Sequence, residues 1–212
     1  MPPETISDPP AAPPLQVGPA SPGDIEQVVA LYLGEDETDR QMYHPLPFSP
    51  WRLRFVLRGL VIAQRRSRRW VRLVPRAAAS FLVGRLEDHG PVVAFGHLRF
   101  RRSASGLLVA ETGYFVNPKF RRRGFGVEFK VGLIAEARRF GAQRVEALID
   151  PRNIASVRLN QRLGFRFAPD PVPDRRTPHS QLLVAQLDLG PGPAPAEASA
   201  PAPVDASSRA RV

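Results

Sequence analysis

Three arginines run directly into two closely spaced glycines: Arg121, Arg122 and Arg123, then Gly124, Phe125 and Gly126. Such a string can hold a diphosphate. Glycine lets a bulky ligand approach the backbone, and several N–H groups can converge on one anion. The flanking residues say where the string sits. Residues 107–116, L-L-V-A-E-T-G-Y-F-V, have the apolar, aromatic and β-branched composition of a strand. Downstream, Val127, Val131, Ile134 and Ala135 recur at helical spacing, and Gly141 supplies a stop. A strand therefore leads into a basic turn, and the turn opens a helix. The first-turn amides of a helix lack intrahelical partners, and its dipole makes that end positive. Two familiar phosphate loops do not match. No G-x-x-x-x-G-K-[ST] string occurs, and Gly124 and Gly126 are not followed by the third glycine of a dinucleotide loop.

The pattern that does fit is [RQ]-x-x-G-x-[GA], met by Arg121, Gly124 and Gly126. About thirty residues later comes N-I-A-S-V-R-L-N-Q-R-L-G-F, from Asn153 to Phe165. Together with the V-N-P-K-F that precedes the arginines, these elements resemble the GCN5-related N-acetyltransferase (GNAT) superfamily. The resemblance covers residues 80–168 by motif and the N-terminal part by layout. It implies acetyl transfer from acetyl-CoA to an amine of a small molecule or a protein. It implies that the Val116 backbone bonds the pantetheine arm, and that Arg121, Arg122, Arg123, Gly124, Phe125 and Gly126 hold the diphosphate. The Asn153 side chain would bond the pantetheine region, or act as a helix N-cap, or both. Leu163, Gly164 and Phe165 read as packing and turn residues. No metal is implied. A second class stays open: a GNAT-fold module that binds acyl-CoA for regulation and has little activity.

An acceptor amine must lose a proton before it attacks. Glu111, on the strand beside the cofactor, is the general-base candidate, directly or through water. Its other reading is a strand carboxylate paired with an arginine. Tyr114 is a second candidate, and strand alternation puts it on the opposite face from Glu111. The family carries a β-bulge in this strand, and Gly113 is a plausible place for one to re-aim either side chain. One departure matters. Where the family often has a tyrosine that protonates the leaving thiolate, this chain has Asn160, which has no titrating proton.

The remaining elements must position these groups. Eight prolines among residues 1–22 point to a disordered leader over 1–14, with an edge strand over 15–20. Ser21-Pro22-Gly23-Asp24 starts a helix whose apolar face is Ile25, Val28, Val29 and Tyr32. Leu53, Val56, Leu57, Leu60 and Val61 mark one face of a second helix. Strands are expected over 80–87 and 91–101, joined at Asp88-His89-Gly90, then over 144–150, 165–168 and 180–189, with a helix over 153–162. Residues 169–178 read as a proline-rich excursion. The order β-α-α-β-β-β-α-β-α-β-β is that of one α+β (α/β/α) domain, 15–189: a mixed, mostly antiparallel central sheet with helices on both faces. Residues 190–212, rich in Pro, Ala and Ser, read as a disordered tail.

Composition narrows the chemistry. The 212 residues contain no Cys, which removes disulfides, thiolate metal sites and a cysteine nucleophile. The start has no secretory pattern and no apolar run is long enough to span a bilayer, so a cytoplasmic location is expected. The net charge of +10 favours anionic partners. Residues 51–76 hold nine arginines and no acidic residue. The readings for this 52–76 cluster are a solvated helix side, a dock for an acidic acceptor or nucleic acid, and a membrane-surface helix. The aromatic, proline-broken segment around Tyr43, Phe48 and Trp51 is either a loop pinned to the core or an acceptor-binding lip with His44 facing the substrate. A homodimer is also consistent with the family.

Overall fold

A glycine in each of two adjacent strands makes room for one phenylalanine ring, and that contact sets the angle at which the central helix lies on the sheet. The computed structural model describes residues 13–35, 46, 49–71, 75, 78–174 and 180–190, without the side chains of 65–70. His44 and the ends, 1–12 and 191–212, lie outside the described residues.

The elements are β1 (Gln16–Pro19), α1 (Ile25–Leu33), α2 (Pro50–Trp70), β2 (Ala79–Arg85), β3 (Ala94–Arg102) and β4 (Leu108–Val116). They continue with α3 (Phe125–Arg139), β5 (Arg144–Ile149), α4 (Ile154–Arg162), β6 (Arg166–Phe167), β7 (Val172–Pro173) and β8 (Gln181–Asp188). The sheet order is β1-β2-β3-β4-β5-β8-β6, with β7 paired to β8. Among the described residues every pair is antiparallel except β4–β5. That pair is parallel because α3 carries the chain back across the sheet between them.

One face of the sheet packs α1 and α2 through Val28, Tyr32, Leu53, Leu57, Phe81, Phe95 and Phe115. The other packs α3 through Phe125, Phe129, Leu133 and Ala137, with Ala110, Val145 and Ala147 beneath. Each of these full burials contributes ~1.5–3 kcal/mol for the large side chains.

Three expectations change. The α3 face read from Val127, Val131, Ile134 and Ala135 is rotated: Val131 and Ala135 are exposed, and only Ile134 of the four is buried. The reason is spatial. A Cβ on Gly96 would stand 2.7 Å from the Phe129 ring, and one on Gly84 3.0 Å from it. The ring fills the space the two glycines leave and fixes the helix there. The strands before and after the first hairpin are Ala79–Arg85 and Ala94–Arg102, because Pro91 has no N–H for the ladder and the chain re-enters it with Val93 donating to the Gly84 carbonyl. Within the proline-rich excursion, Val172 and Pro173 form β7 against Leu182 and Gln181.

Candidate active site

The ladder between β4 and β5 is only three residues long. It pairs Val109 with Arg144, Ala110 with Val145 and Glu111 with Glu146, and then stops. Each strand goes on with its outer neighbour: β4 with β3 to Val116↔Ala94, and β5 with β8 to Ile149↔Leu183. The two strands therefore part inside the sheet, and residues 112–116 face residues 147–149 across a cleft. The start of α3 and the body of α4 close on it. A Cβ on Gly126 would lie 3.3 Å from Leu159 of α4, 3.8 Å from the Tyr114 hydroxyl and 4.0 Å from Val116.

At the mouth of the cleft lies the arginine–glycine string. Residues 121–124 are exposed, and Phe125 is buried as an anchor. Arg122 has φ +65° and Gly124, the N-cap of α3, has φ +87°. These left-handed residues turn the chain from strand to helix. Among the described residues, no protein acceptor takes the amides of 122–126; the first helical bonds are Val127 and Glu128 donating to the Gly124 carbonyl. Arg121 behaves differently from Arg122 and Arg123. Its Nε donates to the Val116 carbonyl at 3.1 Å, and its guanidinium lies 5.4 Å from the Phe115 ring centre. It ties the loop to the end of β4. A carbonyl has two lone pairs, so Val116 keeps one for another donor. Glu128, in the first turn of α3, accepts from the Leu15 amide at 2.6 Å and so fastens the start of the domain to the loop. Asn153 caps α4: its Oδ1 accepts from the Ser156 amide at 3.0 Å.

Glu111 and Tyr114 point to opposite faces, and no bulge re-aims them. The β3–β4 register runs unbroken from Ala94↔Val116 to Arg102↔Leu108. Gly113 has a different role from the one expected. A Cβ there would stand 2.6 Å from Cε1 of His97, so the glycine admits the imidazole of the facing strand. His97 is fully buried, and burial, with Arg99 and Lys130 nearby, lowers its pKa to about 3. It serves as a neutral ring. Glu111 lies on the face of α1 and α2, half-buried and ion-paired to Arg99. Tyr114 lies on the α3 face against Phe129, with its pKa raised by desolvation.

The sequence reading missed Lys130. It occupies a buried position on α3, 1% exposed, and its Nζ donates to Thr112 Oγ1 at 2.5 Å. Thr112 is the first β4 residue past the ladder. The ammonium lies 4.7 Å from the Phe165 ring centre and 5.9 Å from that of Tyr114. Burial lowers its pKa to about 7 from 10.5. The available signal was Lys130 beside Phe129, one turn before Leu133 and Ile134, on the true apolar face. The energetic sign follows from the two proton affinities. Below about 7 both folded and unfolded chains are charged, and the fold bears the full cost of burial. Between about 7 and 10.5 the folded chain has shed its proton while the unfolded chain keeps it, so stability rises with pH by ~1.4 kcal/mol per unit. Lys130→Met is expected to raise stability at neutral pH by ~1–4 kcal/mol and to flatten that rise. Denaturant midpoints measured across the same window check both effects; an unchanged slope would put the pH dependence on another group.

Asn160 is 1% exposed on the inner side of α4. Its Nδ2 donates to the Ser156 carbonyl at 2.8 Å, and its Oδ1 is buried with no hydrogen-bond partner among the described residues. It holds its own helix and offers no proton to the cleft.

A family model described as "Acetyltransferase (GNAT) domain" matches residues 15–166. The L-methionine sulfoximine/L-methionine sulfone acetyltransferase of Salmonella typhimurium is 35% identical over 80 residues, 37% of this chain. That match spans 47% of the relative's length. Solved structures share the fold. That of yncA from Salmonella typhimurium with its cofactor acetyl-CoA superposes with a TM-score of 0.61 at 24% identity, covering 85% of this chain and 97% of the other. Ribosomal-protein-S5-alanine acetyltransferase from Vibrio fischeri gives 0.64 at 14% identity, covering 82% and 92%. A phosphinothricin acetyltransferase from Sinorhizobium meliloti in complex with acetyl-CoA gives 0.61 at 17%, covering 88% and 96%.

Proposed function

Because this chain belongs to the GNAT acetyltransferase family, we propose that it transfers the acetyl group of acetyl-CoA to a primary amine of a small molecule or a protein chain. The observation that carries this reading is the free amides of residues 122–126 at the head of α3, set at the mouth of a cleft inside the sheet. A linear ligand with an anionic end and a narrow arm fits that shape: the anion rests on the amides and the arm enters between β4 and β5. Acetyl-CoA, when bound, supplies an activated thioester. The chain's residues do the rest. The amides of 122–126, with Arg122 and Arg123 beside them, hold the diphosphate. Arg121 holds the loop against Val116. The Val116 backbone and Asn153 bond the pantetheine arm. Glu111 takes the proton of the amine, directly or through one water, from its place beside Arg99. Tyr114, whose hydroxyl burial keeps protonated, is the second catalytic candidate, as a donor to the leaving thiolate from the cleft side. The acceptor approaches over the α1–α2 face, and the catalytic unit is the domain 15–189, acting in the cytoplasm.

The Salmonella relative is named for small amino-acid analogues, whereas the Vibrio fischeri structure is of an enzyme named for a ribosomal protein; both acceptor classes therefore stand. One feature favours a second reading, an acyl-CoA-binding module with little turnover: Asn160 is locked to Ser156 where the family often carries a tyrosine. Calorimetry with coenzyme A, followed by thiol release from acetyl-CoA over a panel of amino acids and peptide N-termini, separates the two. Binding with amine-dependent release supports the enzyme. Binding with no release across the panel supports the module, and absence of binding overturns both.

A further inference from the structure

Helix α2 is apolar on two separate sides. Leu53, Leu57 and Val61 are buried in the core. Trp51, Phe55 and Ile62 are 66%, 75% and 62% exposed. At 100° per residue, positions 51, 55, 58 and 62 fall within one narrow stripe, centred about 130° round the helix from the buried one. Arg58, between Phe55 and Ile62, is exposed as well, and Arg52 lies over the Trp51 ring at 5.2 Å. Arg54, on the flank, is ion-paired to Glu26 and takes no part. The same stripe continues in the sequence to Arg65, Arg66 and Arg69.

We propose that the outer face of α2 docks on an anionic phospholipid bilayer, with Trp51, Phe55 and Ile62 entering the headgroup boundary and the arginines meeting the lipid phosphates. Composition points to this occupant. Large apolar side chains and an arginine exposed together on one side of a helix suit the headgroup boundary of a bilayer. Residues 51–76 carry nine arginines and no acidic residue, which complements a surface of one sign. No helix of the described residues is long and apolar enough to cross a membrane, so the contact lies on the surface. The inference is independent of acetyl transfer.

The test uses the full chain and sedimenting vesicles of phosphatidylcholine, with or without phosphatidylglycerol. The expected result is binding at least about tenfold tighter to the anionic vesicles, weakening with salt. Tryptophan emission should shift to the blue and be quenched by lipids brominated near the headgroup. The combined variant Trp51→Ala, Phe55→Ala, Ile62→Ala should lose about tenfold or more of this binding. Circular dichroism reports that it is folded. Equal binding to neutral vesicles, or unchanged binding by the triple variant, overturns the proposal. So does tighter binding to duplex DNA with no blue shift, which would make the arginines a nucleic-acid contact.

Discussion

Glu111→Gln is expected to lower kcat by roughly 10²-fold while coenzyme A affinity stays the same. Glu111 is the only acidic residue between Gly90 and Glu128. It stands at the last rung before β4 and β5 part, paired across to Glu146, so it borders the cleft where a thioester would end. Its face is that of α1 and α2, the side proposed for the acceptor's approach. Gln keeps the size and a hydrogen bond to Arg99 but cannot accept a proton. A loss confined to kcat thus isolates proton removal from binding. With Asn160 unable to donate a titrating proton, kcat/KM should rise with pH through deprotonation of the acceptor amine and show no high-pH limb from position 160. Full turnover in the variant would make the Glu111–Arg99 pair structural and leave the proton to bulk water.

Gly124→Asp should weaken coenzyme A binding by roughly 10²-fold or more in a chain that still folds. Gly124 sits at φ +87° in open space, its nearest neighbour being Glu128 Oε1, 3.9 Å from where a Cβ would stand. Aspartate tolerates a left-handed backbone better than most residues, so the fold should survive. Its carboxylate would join that of Glu128 at the head of α3, where the amides of 122–126 await a diphosphate. Gly124→Ala separates the causes: it brings the backbone strain without the charge and should cost far less affinity. Calorimetry on the three proteins, with circular dichroism as the folding control, checks this. Equal losses for Ala and Asp would mean that loop geometry, not charge, governs the site.

The strand–turn–helix around Arg121 and Gly124 was legible because it is local. Strand composition, a basic glycine turn and helical spacing all lie within one stretch of sequence. The α1 and α2 faces were legible for the same reason, and the sheet's layout through the family resemblance. What was hidden depends on contacts between distant residues. The rotation of α3 is set by Gly84 and Gly96, far earlier in the chain, so Lys130 reads locally as a surface residue but is buried. Gly113 reads as a place for a bulge, yet its missing side chain serves His97 on the neighbouring strand. The early end of the β4–β5 ladder has no sequence signature, because both strands continue with their other partners. The Arg99 partner of Glu111 follows from register, which pairs residues 99 and 111 across the hairpin.

The most direct test compares coenzyme A with pantetheine by calorimetry on the unmodified chain. The two share the thiol arm, and only the first carries the diphosphate. If the amides of 122–126 hold that group at the head of α3, coenzyme A should bind at least roughly 10²-fold more tightly than pantetheine, with the difference shrinking in Gly124→Asp. Equal affinities, or a difference that survives the substitution intact, would contradict the assignment of this cleft to acetyl-CoA.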